Sequence, residues 1–422
     1  MLAKAPETGP AGDGDAKPVK VTLENLSRVT RGLPFHVRFA VQTLTKLQVG
    51  ALTLRLPDGR AFHFDAPQPG PSAELVLNNW RMPRRTLLGG TIGAAESYMD
   101  GDWDSPDVTA LLSVFGLNDE VGQDLTSPNW LNNVIETVRH WWNENTPTGS
   151  RRNIAAHYDL GNSFYSLWLD NSMTYSSAIY EKGNHSLIQA QEDKYRSLAE
   201  RAGMRESHQV LEIGCGWGGF AEYAAKHVGC KVTGLTISRE QFDFARERMF
   251  REGLNEKVEI RFQDYRDEKG KYDSIASIEM FEAVGEKYWG TYFDRVADCL
   301  KSGGRAGLQI ITIAERHFEQ YRRRPDFIQR YIFPGGMLPP PSRLMQLGET
   351  SGLTLASERV FPLDYARTLA EWRHRFIDKW DEIRSLGFDH RFKRMWEFYL
   401  HYCEAGFRTG NIDVRQVFFA KP

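Results

Sequence analysis

The chain has 422 residues, 53 basic and 55 acidic side chains, a formal charge of −2 and 41% apolar residues. That length suits two or three domains, and that composition excludes a disordered or fibrous chain. The near-neutral balance supplies no global field for nucleic acid, and no apolar run reaches the roughly 18 residues that span a bilayer.

Residues 1–18 are rich in Pro, Gly and charge and have no apolar stretch, so they read as a disordered tail and not as a signal peptide. Residues 19–118 read as a small α+β domain. Leu52, Leu54 and Leu56 alternate, Pro57-Asp58-Gly59 makes a turn, and Phe62 and Phe64 alternate again, the pattern of a hairpin with one buried face. Ser105-Pro106-Asp107 reads as a helix start with Ser105 as cap, Pro106 at the first helical position and an acid in the first turn. Residues 119–150, with His140-Trp141-Trp142 and a polar Pro/Gly end, read as a connecting arm. The cysteines, Cys215, Cys230, Cys299 and Cys403, lack CxxC spacing. No metal site or disulfide framework is expected, and a reducing compartment suits them.

From residue 151 to 422 the pattern becomes strand–helix alternation. Strands are expected at Gln209–Ile213, Lys231–Leu235, Lys257–Phe262, Tyr272–Ile278 and Ala306–Thr312. A helix over 220–228 follows the first. Ser238 and Gln241 can form a capping box ahead of the face Phe242, Ala245, Met249, and Gly253 ends that helix. Tyr288, Tyr292, Val296 and Leu300 make a further helical stripe that stops at Gly303-Gly304. Such alternation predicts an α/β fold: a mostly parallel, Rossmann-like sheet with helices on both faces.

The sharpest local signal is Glu212-Ile213-Gly214-Cys215-Gly216-Trp217-Gly218-Gly219, a strand running into a glycine turn and then a helix. The glycines let a ligand approach the backbone and leave helix N–H groups free. The spacing is not the G-x-G-x-x-G of a dinucleotide site. Glu212 would repel phosphate but suits a cationic amino group, which points to S-adenosylmethionine and the first motif of class I methyltransferases. Thr236 and Ser238, with Gln241, end the second strand near the expected ribose. Gln263, Asp264 and Tyr265 end the third near the expected adenine, where Asp264 can accept from the amino group and Tyr265 can face the ring.

Several segments together resemble the cyclopropane-fatty-acid synthase family. They are His157-Tyr158-Asp159-Leu160-Gly161-Asn162, Thr174-Tyr175-Ser176-Ser177-Ala178, the glycine turn, Gly234-Leu235-Thr236-Ile237-Ser238, Met280-Phe281-Glu282-Ala283-Val284-Gly285, Ile332-Phe333-Pro334-Gly335-Gly336 and Asp364-Tyr365-Ala366-Arg367-Thr368-Leu369. They occur in order over about residues 150–420, and residues 19–118 resemble the extra domain of the long bacterial form. The resemblance implies S-adenosylmethionine-dependent alkylation of double bonds in unsaturated acyl chains, with Tyr175 and Ser176 added to the cofactor set and His157, Tyr158 and Phe164 at the substrate pocket. It implies a homodimer as well. In many members a bicarbonate ion serves as base, held by a cysteine, a glutamate, a histidine and a tyrosine. Glu282 and Tyr365 match two of these; Ser177 and Gln309 stand at the cysteine and histidine positions. Serine and glutamine can still donate hydrogen bonds to an anion, but neither titrates near neutrality. The case for bicarbonate, and with it ring closure over a methyl or methylene branch, is weakened accordingly. Glu282 is the best candidate to be or to position the base, and Tyr365 to orient it.

A phospholipid substrate needs a docking surface. From Lys20 to Arg85 there are ten basic residues against four acidic ones, and Arg322-Arg323-Arg324 lies near Phe327, Tyr331 and Phe333. Basic patches with aromatics suit an anionic membrane surface, so a cytoplasmic protein resting on the inner face is expected. The competing readings are a methyltransferase of a soluble amine and a non-catalytic cofactor or lipid binder.

Overall fold

The computed structural model describes residues 17–119, 160–181 and 186–422. The expected tail, most of the arm and the pair His157 and Tyr158 lie outside those residues. The chain divides into two compact units, Met1–Ser127 and Pro128–Pro422.

In the first unit, β1 (Val19–Lys20), β2 (Val49–Arg55), β3 (Ala61–Asp65), β4 (Gln68–Leu77) and β5 (Trp103–Asp104) form one sheet in the order β1-β3-β2-β4-β5. The hairpin forms as the alternation requires: Leu52 faces Phe64 and Leu54 faces Phe62 across antiparallel β2 and β3. All four are buried, and Gly59 takes the left-handed φ of +86° that the turn needs. Among the described residues four helices accompany the sheet: α1 (Leu26–Val29), α2 (Phe35–Leu44), α3 (Arg81–Met99) and α4 (Val108–Gly116). The start of α4 differs from expectation by two residues. Asp107, not Ser105, is the cap, its carboxylate accepting from Ala110 N at 2.9 Å. A charged acceptor satisfies an orphan helix N–H better than a hydroxyl does, and the apolar stripe begins only at Val108.

In the second unit, α5 (Asn162–Trp168) and α6 (Leu187–Arg201) precede β6 (Gln209–Ile213), α7 (Gly219–Tyr223), β7 (Lys231–Thr236), α8 (Arg239–Arg251), β8 (Val258–Phe262) and β9 (Tyr272–Ile278). Then come α9 (Trp289–Cys299), β10 (Leu300–Ile313), α10 (Glu315–Tyr321), α11 (Pro341–Thr350), β11 (Thr354–Val360), α12 (Pro362–Asp378), α13 (Trp380–Ser385), α14 (His390–Arg408) and β12 (Ile412–Ala420). The seven strands lie in the order β11-β12-β10-β9-β6-β7-β8. The pairs among β6 to β10 are parallel and β12 is antiparallel to both neighbours. Successive strand residues feed opposite layers, as the pleat demands. Leu211 and Ile275 join a cluster with Phe281, Phe293 and Leu308, while Val210 and Ala276 join Leu198, Phe220 and Met249 on the other side.

One boundary moves. The helical stripe ends at Cys299, and Leu300 already pairs with Tyr272 in the sheet; the register then shifts between Leu300 and Arg305, where Gly303 takes a φ of +77°. The two glycines thus make a bulge inside a strand, not a stop between elements.

Candidate active site

The carboxyl ends of parallel strands face one edge of the sheet, where ligands of open α/β folds bind. At the end of β6, Gly214, Gly216 and Gly218 have φ of +81°, +52° and +85°. A Cβ on Gly214 would stand 2.6 Å from Met280 Cγ, whereas one on Gly216 would meet nothing within 4 Å, so the turn is open on the side a ligand would approach. Trp217 in this turn donates from its indole to Asn162 Oδ1 at 2.7 Å, which ties the glycine turn to α5. Glu212 is buried, and its Oε2 has no partner among the described residues. Burial pushes its carboxyl well above the usual range, opposed by Lys194 and Arg248. A buried carboxylate oxygen without a donor is costly unless a cation arrives.

At the end of β7, Thr236 Oγ1 and the Gln241 side chain hydrogen-bond at 3.0 Å, and Ser238 caps α8 by accepting from Gln241 N. Gln241 therefore spends its side chain on Thr236, and the capping box is only half formed. After β8, Asp264 is held at 2.9 and 2.7 Å by the Arg266 guanidinium and also caps the following turn. Gln263 donates to Glu268 at 3.0 Å. The half-buried Tyr265 ring packs edge-on against Tyr292. Tyr175 and Tyr399 hydroxyls meet at 2.7 Å, and Ser176 Oγ accepts from Lys194 Nζ at 2.7 Å. Phe164 is fully buried among Phe376, Phe388, Phe392 and Trp396, which places it in an aromatic core and not on a pocket wall.

The end of β9 brings together all four residues expected to hold an anion, around a fifth that sequence reasoning missed. Glu279 Oε1 accepts from Ser177 N and from Gln309 Nε2, both at 2.8 Å, and Oε2 accepts from the Tyr365 hydroxyl at 2.6 Å. Gln309 Oε1 is fixed in turn by Gln416 Nε2 at 3.1 Å, and the Ser177 hydroxyl donates to Ala178 O. Glu279 is one of only two non-glycine residues with positive φ among the described residues, at +49°, a strained region for a side chain of its size. Glu282 Oε1 accepts from Ile311 N, and its Oε2 is buried without a partner among the described residues. Burial and the neighbouring Glu279 push Glu282 up to about 8. Glu279 is raised by burial and drawn back down by Tyr365, Gln309 and Ser177. The two carboxyls thus differ in their surroundings: Glu282 is raised to about 8 with one oxygen unpartnered, whereas three donors oppose the rise at Glu279.

Lys194 is the second residue the sequence reading overlooked. It is fully buried on α6, its Nζ lies 4.4 Å from the Tyr195 ring centre, and burial pushes its ammonium down to about 7 against the attraction of Glu279, Asp170 and Glu212. Its signal was present: Leu187, Ala190, Gln191, Lys194 and Leu198 occupy one helical stripe, and a lysine there interrupts an apolar face.

The residues present fit S-adenosylmethionine: an open glycine turn carries a buried, unpartnered Glu212 oxygen able to take an ammonium. They do not fit bicarbonate. The Tyr365 hydroxyl, the Gln309 amide and the Ser177 backbone N–H already hold the Glu279 carboxylate, and the Ser177 hydroxyl is turned to a carbonyl. Among the described residues no group of His, Cys, Asp and Glu is placed to hold a metal ion.

Comparisons with known proteins agree with this geometry. The profile of the mycolic acid cyclopropane synthetase family matches residues 145–417. The chain is 40% identical over 374 residues to tuberculostearic acid methyltransferase UfaA1 of Mycobacterium tuberculosis, covering 86% of this chain and 87% of that one. It is 35% identical to the cyclopropane-fatty-acyl-phospholipid synthase of Escherichia coli K12, over 83% and 88% of the two chains. Among solved structures, the mycolic acid cyclopropane synthase CmaA1 complexed with SAH and CTAB superposes with a TM-score of 0.61 at 27% identity, covering 64% of this chain and 98% of that one. Coclaurine N-methyltransferase, at 18% identity and a TM-score of 0.60, shares the fold. A parallel sheet with an open glycine turn and an acid-lined site, matched over most of its length to this group, makes the chain a member of the cyclopropane synthase family of S-adenosylmethionine-dependent methyltransferases.

Proposed function

We propose that the protein transfers a one-carbon unit from S-adenosylmethionine to the double bond of unsaturated acyl chains carried on phospholipid, and that the product is a methyl- or methylene-branched chain. The observation that carries the transfer reading is the Glu279–Glu282 pair just past the end of β9, the strand beside the one that ends in the cofactor turn; the preference for a branch over a ring rests on Ser177 and Gln309 at the cysteine and histidine positions. S-adenosylmethionine supplies a methyl group made electrophilic by its sulfonium. Glu212 would bind the amino group, and the glycine turn would let the cofactor lie against the backbone. Tyr175, Phe333, Trp372 and Tyr399 form an aromatic wall with ring centres 5.3 to 6.4 Å apart. Such a wall excludes water that would otherwise trap a carbocation, and its faces favour positive charge.

Access to lipid is assigned to the first unit. Lys20, Arg55, Arg60, Arg81 and Arg85 are engaged with Asp65, Glu74, Asp58 and Asp102, which removes half of the basic run from docking. Arg28, Arg31, Arg38 and Arg84 stand exposed, and so do Leu23 and Phe35, at 76% and 80%. Exposed arginines beside exposed apolar side chains suit an anionic headgroup layer. In the second unit Arg322 and Arg323 are engaged with Glu286 and Glu319, and Phe327 is buried, so that basic run has less to offer. No helix among the described residues is long and apolar enough to cross a membrane.

The test uses trideuteromethyl S-adenosylmethionine with vesicles of dioleoyl phosphatidylglycerol. The expected product is either an acyl chain heavier by CD2 that ozone cleaves to a mid-chain ketone, the mark of an exomethylene branch, or one in which CD3 replaces H and ozone cuts the chain to a methyl ketone and an aldehyde, the mark of a methyl-branched alkene. An ozone-resistant CD2 adduct would mean a ring. Label appearing only on added amines would replace this reading with that of an amine methyltransferase.

A further inference from the structure

We infer that Glu279 is the general base of this enzyme: a carboxylate built into the chain occupies the place and the hydrogen-bond donors of the bicarbonate ion, so that proton removal needs no exogenous anion. This rests on the acyl-chain reading above and adds to it which atom takes the proton.

Three features converge on Glu279. Its carboxylate is held by the tyrosine hydroxyl, by the side chain at the histidine position and by the backbone N–H at the cysteine position. The changes at Ser177 and Gln309 are those a resident carboxylate requires. A histidine at 309 in its cationic form would bind the glutamate as an ion pair and quench it, whereas a glutamine amide donates without transferring a proton. The backbone at Glu279 is left-handed, and strain of this kind persists only where the surroundings impose it. Here those surroundings are the strand: Glu279 N donates to Gln309 O at 2.8 Å, which fixes the residue directly beyond the last β9 pair, Ile278 with Gln309.

The lone pairs identify the accepting atom. Oε1 already receives two hydrogen bonds, whereas Oε2 receives one, from Tyr365, and keeps a lone pair. In the reaction the alkene π pair forms the new C–C bond to the methyl carbon, and the C–S bond breaks with its pair on sulfur, leaving S-adenosylhomocysteine and a carbocation on the chain. A hydride shift from the methyl-bearing carbon to the cationic one moves the charge to the branch point. Glu279 Oε2 then takes a proton from the new methyl group, and the C–H pair becomes the exomethylene π bond. Without the hydride shift the same proton loss closes a cyclopropane, so the base identity and the product are separate questions.

Four measurements test this. Wild-type turnover is expected to be equal in bicarbonate-depleted buffer and in buffer with added bicarbonate, and 13C-bicarbonate is expected to show no binding to the S-adenosylhomocysteine-loaded protein. Glu279→Gln, which keeps the shape, is expected to bind S-adenosylhomocysteine as the wild type does and to lose roughly 100-fold or more in turnover, the usual contribution of a positioned base, with no rescue by bicarbonate. Glu279→Gly, which empties the cradle, is expected to regain activity when bicarbonate or formate is added. A wild-type rate that rises with bicarbonate, or full turnover by Glu279→Gln, overturns the inference while leaving the alkene reaction standing. A wild type that never makes the lipid heavier overturns the acyl-chain reading first, and no Glu279 variant is then needed to see it.

Discussion

Two neighbouring parallel strands, β6 and β9, each end at a buried glutamate, and the two ends are provisioned in opposite ways. Glu212 has an oxygen with no donor among the described residues. Glu279 has three donors and keeps one lone pair on Oε2. An unsatisfied carboxylate in a pocket is a receptor for a cation that comes from outside. A satisfied one is itself the guest, in a cradle made for an anion. The difference teaches which acid binds and which reacts, although both lie at the same edge of one sheet.

The comparison is broken most directly by exchanging the two losses. Glu279→Gln should cost roughly 100-fold or more in kcat and leave cofactor affinity within twofold. Glu212→Gln should weaken S-adenosylmethionine binding by about 10- to 100-fold, the worth of one charge-assisted hydrogen bond, with kcat at saturation much less affected. Calorimetric titration with S-adenosylhomocysteine, set beside turnover on vesicles, reads both. If the two variants lost affinity and turnover in the same proportion, the division of labour between the strand ends would be wrong.

A smaller effect sharpens the reacting end. Tyr365 is kept neutral by burial and by the charge on Glu279, so it can only donate to that carboxylate. Its hydrogen bond lowers the Glu279 pKa. Tyr365→Phe removes that support, so the pKa of the base must rise, by about one unit for a bond of this strength. The base works as the anion, and the acid limb of the kcat profile should therefore move to higher pH by about one unit, with a fall approaching 10-fold only below that limb. An unmoved limb would detach Tyr365 from the base.

Much of this site was legible in the sequence because short motifs carry it. The glycine turn, Glu212, Glu282 and Tyr365 were singled out from motif, order and resemblance, with Glu282 and not Glu279 read as the base, and the changes at Ser177 and Gln309 were visible as departures. Glu279 was missed for a physical reason: hydropathy and periodicity describe strands, and Glu279 lies one residue past the end of β9, where neither pattern speaks. The available signal was indirect. Two anion ligands had changed together while an extra acid stood three residues before Glu282. Lys194 was missed because a helical stripe was read for its apolar members and not for its interruption. Phe164 was assigned to the pocket by resemblance, yet its neighbours Phe388, Phe392 and Trp396 come from α14 and its approach, more than two hundred residues away, and only the folded chain brings them together. The five strands β6 to β10 were read from apolar runs, whereas β11 and β12 were not named; the α9–β10 boundary was misplaced, because paired glycines signal a helix stop and a strand bulge equally well.

Glu282 separates the two carboxyls by pH. Its folded-state pKa of about 8 lies above the ordinary 4.5, so the folded protein retains a proton that the unfolded chain releases. The sign follows: between about pH 4.5 and 8 the unfolded state binds fewer protons, and stability contributed at this site falls as pH rises. Glu282→Gln should flatten that decline, gaining up to about 4 kcal/mol on the wild type at pH 8 and less than about 1 kcal/mol at pH 5. Chemical denaturation at the two pH values measures it. Equal gains at both would mean that Glu282 is ionised in the folded protein.

The smallest effect asks whether Glu279 is there for chemistry or for the fold. A non-glycine residue in the left-handed region costs about 1 kcal/mol that glycine does not. Glu279→Gly removes that strain together with a buried carboxylate whose pKa burial has raised. It also frees three donors on the buried residues Ser177, Gln309 and Tyr365, and water entering the emptied cradle must satisfy them. With water in the cradle, the two effects nearly cancel, and the melting temperature is expected within a few degrees of the wild type. A carboxylate retained for stability would give a clear drop in melting temperature with turnover restored wherever the protein stays folded. A variant that is as stable as its parent yet inactive until a small carboxylate is supplied would show strain maintained at this position for the sake of the reaction.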